Sequence, residues 1–177
     1  GERTCAGLTD PAAPAGDECS LSVQLHERGI SRLPSSLMQL SALDATAQAE
    51  AVRPGQVPPT ELVDAAIARI ERDNPDLDAV IIPLFDEARA TEPADGPFRG
   101  VPILIKDIVA TVAGVPQAMG ITALRKAGWR APVDSHLVAA LRRAGFIIVG
   151  KTHTSELGIV PTAEPPAWPP SRNPYDP

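Results

Sequence analysis

The stretch Gly100-Val101-Pro102-Ile103-Leu104-Ile105-Lys106-Asp107, "GVPILIKD", is an apolar run opened by a glycine and closed by two charges. A run of this length rich in Ile and Val suits a strand buried on both faces. A second such run, Phe146 to Lys151 ("FIIVGK"), also ends on a lysine. Between the two lies the clearest helix of the chain. Asp134 or Ser135 supplies a cap, Leu137, Val138, Leu141 and Ala144 fall on one face, Arg142 and Arg143 favour the C-terminal end, and Gly145 closes it. Strand, helix, strand in this order predicts an α/β protein with a βαβ crossover in a parallel or mixed sheet.

Upstream, alanine-rich sequence from Ser41 to Arg53 predicts a first helix, stopped by Pro54-Gly55. Pro58-Pro59-Thr60 offers a rigid approach and an N-cap hydroxyl to a second helix. Its apolar residues Leu62, Val63, Ala66, Ile67 and Ile70 recur at helical spacing, and it is expected to end near Asn74-Pro75. Both helices are expected to pack outside the sheet. Leu77 to Phe85 carries the β-branched cluster Val80-Ile81-Ile82 of a further strand, and Pro83 argues for an edge position or an early end. Residues 1 to about 40 read as a loose extension, and Pro161 to Pro177, with seven prolines, as extended loop. The domain proper is thus expected over residues 41–177.

Bulk composition narrows the classes. The 177 residues are long enough for one domain with a real core, which at this size buries roughly 70% of the unfolded surface. Asp plus Glu outnumber Lys plus Arg by 22 to 16, with no basic run that would neutralise a row of phosphates, so direct nucleic-acid binding is not expected. No apolar stretch approaches the roughly 20 residues of a membrane helix. A cytoplasmic setting is the expectation. The two cysteines, Cys5 and Cys19, have no histidine at metal-ligand spacing, which gives no support for zinc; they are incidental thiols or a small disulfide loop.

In open α/β sheets ligands collect outside the carboxyl ends of the strands, and Lys106 ends such a strand. Two readings stand. A lysine desolvated by its neighbours loses its charge readily and serves as a general base, whereas an ordinary strand-end lysine keeps its ammonium in water. Lys151 has the same placement and reads as solvated or loop-pinning. His153, in "GKTHTSEL", reads as a hydrogen-bonded structural histidine or an acid/base group. Ser155 with Glu156, and Ser171 with Arg172, read as caps and turn residues, since neither serine lies in a Gly-flanked nucleophile turn. Asp107 and Glu164 are the carboxylates available to hold a lysine.

Together, "GVPILIKD", "AALRRAGFIIVGKTHTSELG" (139–158) and "PTAEPPAWPPSRNPYDP" (161–177) resemble the N-terminal part of the amidase signature family. Residues 43–81 resemble its entry helices, so the resemblance covers about residue 41 to the C-terminus. "NPDLDAVIIPLF" and the segment from "TAEPPAW" to "RNPYDP" look closest to the 6-aminohexanoate cyclic dimer hydrolase-like branch. The resemblance implies an α/β/α sandwich around a mixed sheet, incomplete in this chain. It also implies hydrolysis of a carboxylic amide by a Ser-cisSer-Lys triad without a metal or organic cofactor. The lysine closing the family's "GVP...KD" motif matches Lys106.

In that family the Gly/Ser-rich signature bearing both serines begins a few residues beyond "RNP.DP". The resemblance therefore implies that these 177 residues carry only the lysine of the triad, and that they are inactive alone. Two further departures bear on local loop geometry: His153 stands where the family usually has Asn, and Pro169-Pro170 follows Trp168 where Gly is common. The partners implied are a small-molecule amide, a C-terminal portion or second chain supplying the rest of the fold, and a second copy in a homo-oligomer. Two alternatives remain open at this point: a truncated, non-catalytic binding module, and the amidase component of a tRNA-dependent amidotransferase.

Overall fold

The computed structural model describes residues 40–175. Cys5, Cys19 and the expected extension up to residue 39 lie outside them. The centre is β3 (Ile147–Thr152), whose first five residues are all buried. Its neighbours are β1 (Val80–Pro83), antiparallel, and β2 (Pro102–Lys106), parallel, in the order β1-β3-β2. The sheet is mixed, as the sequence predicts. Pro83 lies on an outer strand of the three, where its missing N–H disturbs no central ladder.

α1 (Ala45–Val52) begins four residues later than expected, because the Asp44 carboxylate accepts the Ala47 N–H at 2.8 Å and sets the N-cap there. α2 (Pro59–Leu77) corrects two boundary expectations. Its N-cap is Pro58 rather than Thr60; Pro59 at the first position loses an N–H that would have no partner in the helix anyway. At the other end Pro75 lies inside the last turn, and the helix stops three residues later at Asp78, in the left-handed conformation. The Asn74 side chain then accepts from the Val80 N–H at 2.7 Å and donates to its carbonyl at 2.9 Å, tying the helix end to β1.

The connections hold two helices that periodicity does not predict, α3 (Phe85–Ala90) and α4 (Thr122–Ala127), each only six residues long. α5 (His136–Arg143) is the predicted crossover helix between the parallel strands β2 and β3. Ser135 is its cap, accepting from Val138 N–H at 3.3 Å, while Asp134 instead accepts from Ala113 N–H and pairs with Arg142. Val138 is fully buried, but Leu137 is 58% exposed, so the expected apolar face is narrower than the spacing implies.

Two apolar clusters make three layers. On one face of the sheet Val63 and Ile67 of α2 and Ala88 of α3 pack on Ile147 and Val149, with Leu104 against them. On the other, Val138 of α5 packs with Leu84, Ile105, Val112 and Ile148. Full burial of a side chain such as Ile67 contributes about 2–3 kcal/mol to this arrangement. Gly145, at φ +97°, makes the tight return into β3; a Cβ there would lie 2.6 Å from Arg99 Cα. Residues 161–175 contain no helix and no strand, in keeping with their prolines. Among the described residues no helix is long and apolar enough to cross a membrane.

Candidate active site

The carboxyl ends of the parallel strands β2 and β3 lie side by side, with Lys106 opposite Thr152 and Ile105 opposite Lys151. Strand alternation therefore places Lys106 on the sheet face of Leu104, and Asp107 on the face of Ile105 and Lys151. The two lysines that the sequence left alike part here. Lys106 is exposed, so the described residues do not supply the desolvation that the general-base reading expects. It borders a cleft of about 560 Å³ along β2, on the side where the strand has no partner among the described residues.

Lys151 is the buried one, at 0% exposure, which corrects the solvated reading and keeps the loop-pinning one. Its Nζ donates to Asp107 Oδ1 at 2.5 Å and to the Pro116 carbonyl at 3.4 Å. Asp107, equally buried, thus holds Lys151 and not Lys106. Its second oxygen accepts from the backbone N–H groups of Ala118 and Met119, at 3.1 Å each. Glu164 is exposed and stands outside this network.

His153 is a buried structural group. Nδ1 lies 3.1 Å from the Thr154 carbonyl and Nε2 lies 2.8 Å from that of Pro169, which pins the proline-rich segment to the end of β3. Ser155 Oγ donates to the Val160 carbonyl five residues on, a local turn contact as expected, whereas Ser171 Oγ donates to the carbonyl of Leu77 at the end of α2, a long-range tie rather than the expected cap or turn. Glu156 and Arg172 are exposed. Arg125 of α4 stacks 3.8 Å over the Trp168 ring and donates to the Ala167 carbonyl, a second clasp on the same segment. Neither that clasp nor the pair of amides meeting Asp107 is foreshadowed in the sequence. Among the described residues no cluster of three or more His, Cys, Asp or Glu is placed to hold a metal ion.

What this end of the sheet offers chemically is one reachable amine on a rigid strand, beside a buried ion pair and a strapped loop. Comparison with known proteins places it in a family. A family model for amidases matches residues 61–177. The 6-aminohexanoate-cyclic-dimer hydrolase of Paenarthrobacter ureafaciens is 47% identical over 134 residues, 75% of this chain and 27% of that protein. A component of the glutamyl-tRNA(Gln) amidotransferase of Salinispora arenicola is 41% identical over 91 residues, 51% of this chain and 18% of that protein. Among solved structures, a 6-aminohexanoate cyclic dimer hydrolase superposes with a TM-score of 0.74 at 44% identity, over 81% of this chain and 29% of that one. The chain thus spans under a third of the length of these relatives. With the family model matching well over half of the sequence and a solved relative superposing at 44% identity, the chain belongs to the amidase signature family.

Proposed function

We propose that the protein containing this chain hydrolyses a carboxylic amide, linear or cyclic, with Lys106 as the general base. The observation carrying this reading is the placement of Lys106: the residue closing the "GVPILIKD" motif ends a parallel strand with its side chain exposed, at the edge where ligands of α/β sheets collect. The neutral amine takes a proton, through a serine in a cis peptide, from a second serine whose oxygen attacks the amide carbonyl. Backbone N–H groups stabilise the resulting oxyanion. The returning proton goes to the nitrogen as the C–N bond breaks and the amine leaves. Water then cleaves the acyl-serine ester, releasing the carboxylic acid. Within these 177 residues only the lysine's part is assigned. A neutral amine at this exposed position needs water displaced by whatever covers it, substrate included.

The 6-aminohexanoate-cyclic-dimer hydrolases among the relatives favour a small cyclic amide as the first substrate to try. A second reading, the amidase component of an amidotransferase, is favoured by the glutamyl-tRNA(Gln) amidotransferase relatives alone. One experiment separates them: the full gene product is incubated with cyclic and linear amides, and separately with glutamine. Release of amine and acid from the small amides by the protein alone supports the first reading. Activity on glutamine only, and only with co-purified partner proteins, replaces it with the second.

A further inference from the structure

The buried Asp107–Lys151 pair has no part in the proton relay proposed above. Both side chains are at 0% exposure and 2.5 Å apart. As a source of stability such a pair is a poor device, because an apolar pair of similar volume often does as well or better. Its location is more informative. Asp107 directly follows Lys106, and its own N–H donates to the Thr152 carbonyl at 3.0 Å. One carboxylate therefore joins the end of β2, the buried side of β3, and the segment around residues 116–120.

That segment is held on its far side as well. Met119 has φ +50° and Gly120 φ +75°, and a Cβ on Gly120 would lie 2.7 Å from Glu156 Cα. Leu157 N–H donates to the Met119 carbonyl at 2.9 Å. The successive N–H groups of Ala118 and Met119 form an anion-binding concavity, and the Asp107 carboxylate occupies it. The root of the Lys106 side chain is thus fixed by a neighbour anchored on three sides, although the Lys106 side chain itself lies open.

We propose that Asp107 is a positioning residue for Lys106: its side-chain oxygen, seated on the Ala118 and Met119 amides beside the buried Lys151, fixes the direction in which the lysine leaves the strand. The inference rests on Lys106 being the base. The test compares two neutralised pairs in the full gene product, Asp107→Asn with Lys151→Met and Asp107→Ala with Lys151→Met, neither of which strands a buried charge. Only the asparagine keeps an oxygen for the two amides. The asparagine pair is expected to keep kcat within about fivefold of wild type, and the alanine pair to lose about a hundredfold in kcat with KM changed less than about twofold. Amide hydrogen exchange at Ala118 and Met119 should accelerate in the alanine pair only, with Val149 still protected. Equal kcat in two folded pairs overturns the inference. If the alanine pair does not fold, the asparagine pair decides alone, and a fall to the level of Lys106→Ala overturns it. Lys106→Ala run alongside separates the two claims. Undiminished turnover in that variant removes the base assignment and this inference with it; abolished turnover there, with both pairs active, removes this inference alone.

Discussion

Replacing Lys151 with methionine removes one partner of an ion pair from which water is fully excluded. Methionine fills a similar volume, so the cost comes from the carboxylate left behind rather than from a cavity. Asp107 retains its two amide hydrogen bonds at 3.1 Å, which offset part of that cost. Breaking a buried pair on one side typically costs about 3–5 kcal/mol, and the surviving amide bonds place this variant near the lower end, about 3 kcal/mol. Urea unfolding followed by circular dichroism reads the difference directly as a shift in midpoint at constant slope. Adding Asp107→Asn to Lys151→Met removes the stranded charge and should restore stability to within about 1 kcal/mol of wild type. Lys106→Met, at an exposed position, should change stability by less than about 0.5 kcal/mol. A Lys151→Met protein as stable as wild type, or a double variant no better than the single, would show that no costly charge is stranded at Asp107.

Two further outcomes follow from the packing and the surface charges. Asn74→Ala leaves both the N–H and the carbonyl of Val80 without their side-chain partner and should destabilise by about 1–3 kcal/mol, with the first exchange protection lost in β1. The Asp73 carboxylate is held below its ordinary value of 3.8 chiefly by the hydrogen bond from Arg72, which outweighs the opposing desolvation, with the nearby charges of Arg72 and Arg69 adding to it. A carboxylate lowered in the folded state stabilises above its unfolded value, and that contribution is lost as pH falls through the lowered one. The melting-temperature gap between wild type and Asp73→Asn should therefore be flat from about pH 8 to 5 and close only below 3.8, with added salt shrinking it throughout because the pair is exposed.

The sheet was legible where apolar runs are bounded by glycine. β3 falls within a residue of its sequence boundaries because burial on both faces demands unbroken apolar sequence, whereas β2 occupies only Pro102–Lys106 of the Gly100–Asp107 stretch and, against expectation, is half-buried over its first three residues. α3 and α4 were not legible, since six residues are fewer than two turns and show no period. Pro75 misled because a proline in the last turn removes only one helical hydrogen bond, a loss the helix end tolerates. Leu137 misled because the buried width of a helix is set by what packs on it, which the helix's own sequence does not contain.

At the site the limits were of the same kind. The sequence marked both Lys106 and Lys151 as strand-end lysines, and it marked Asp107 as a holder. Which lysine Asp107 holds depends on pairing register: Lys151 lies opposite Ile105 and so shares a face with Asp107, while Lys106 does not. Register is a relation between strands 44 residues apart, and no local pattern records it.

Whether Lys106 is the base of an amide hydrolase is decided by the turnover of the full gene product beside that of its Lys106→Ala variant, with the melting temperature of each. Wild type is expected to release amine and acid from an amide, and the variant to lose at least about a thousandfold in kcat at an unchanged melting temperature. Equal turnover in the two proteins would contradict that role.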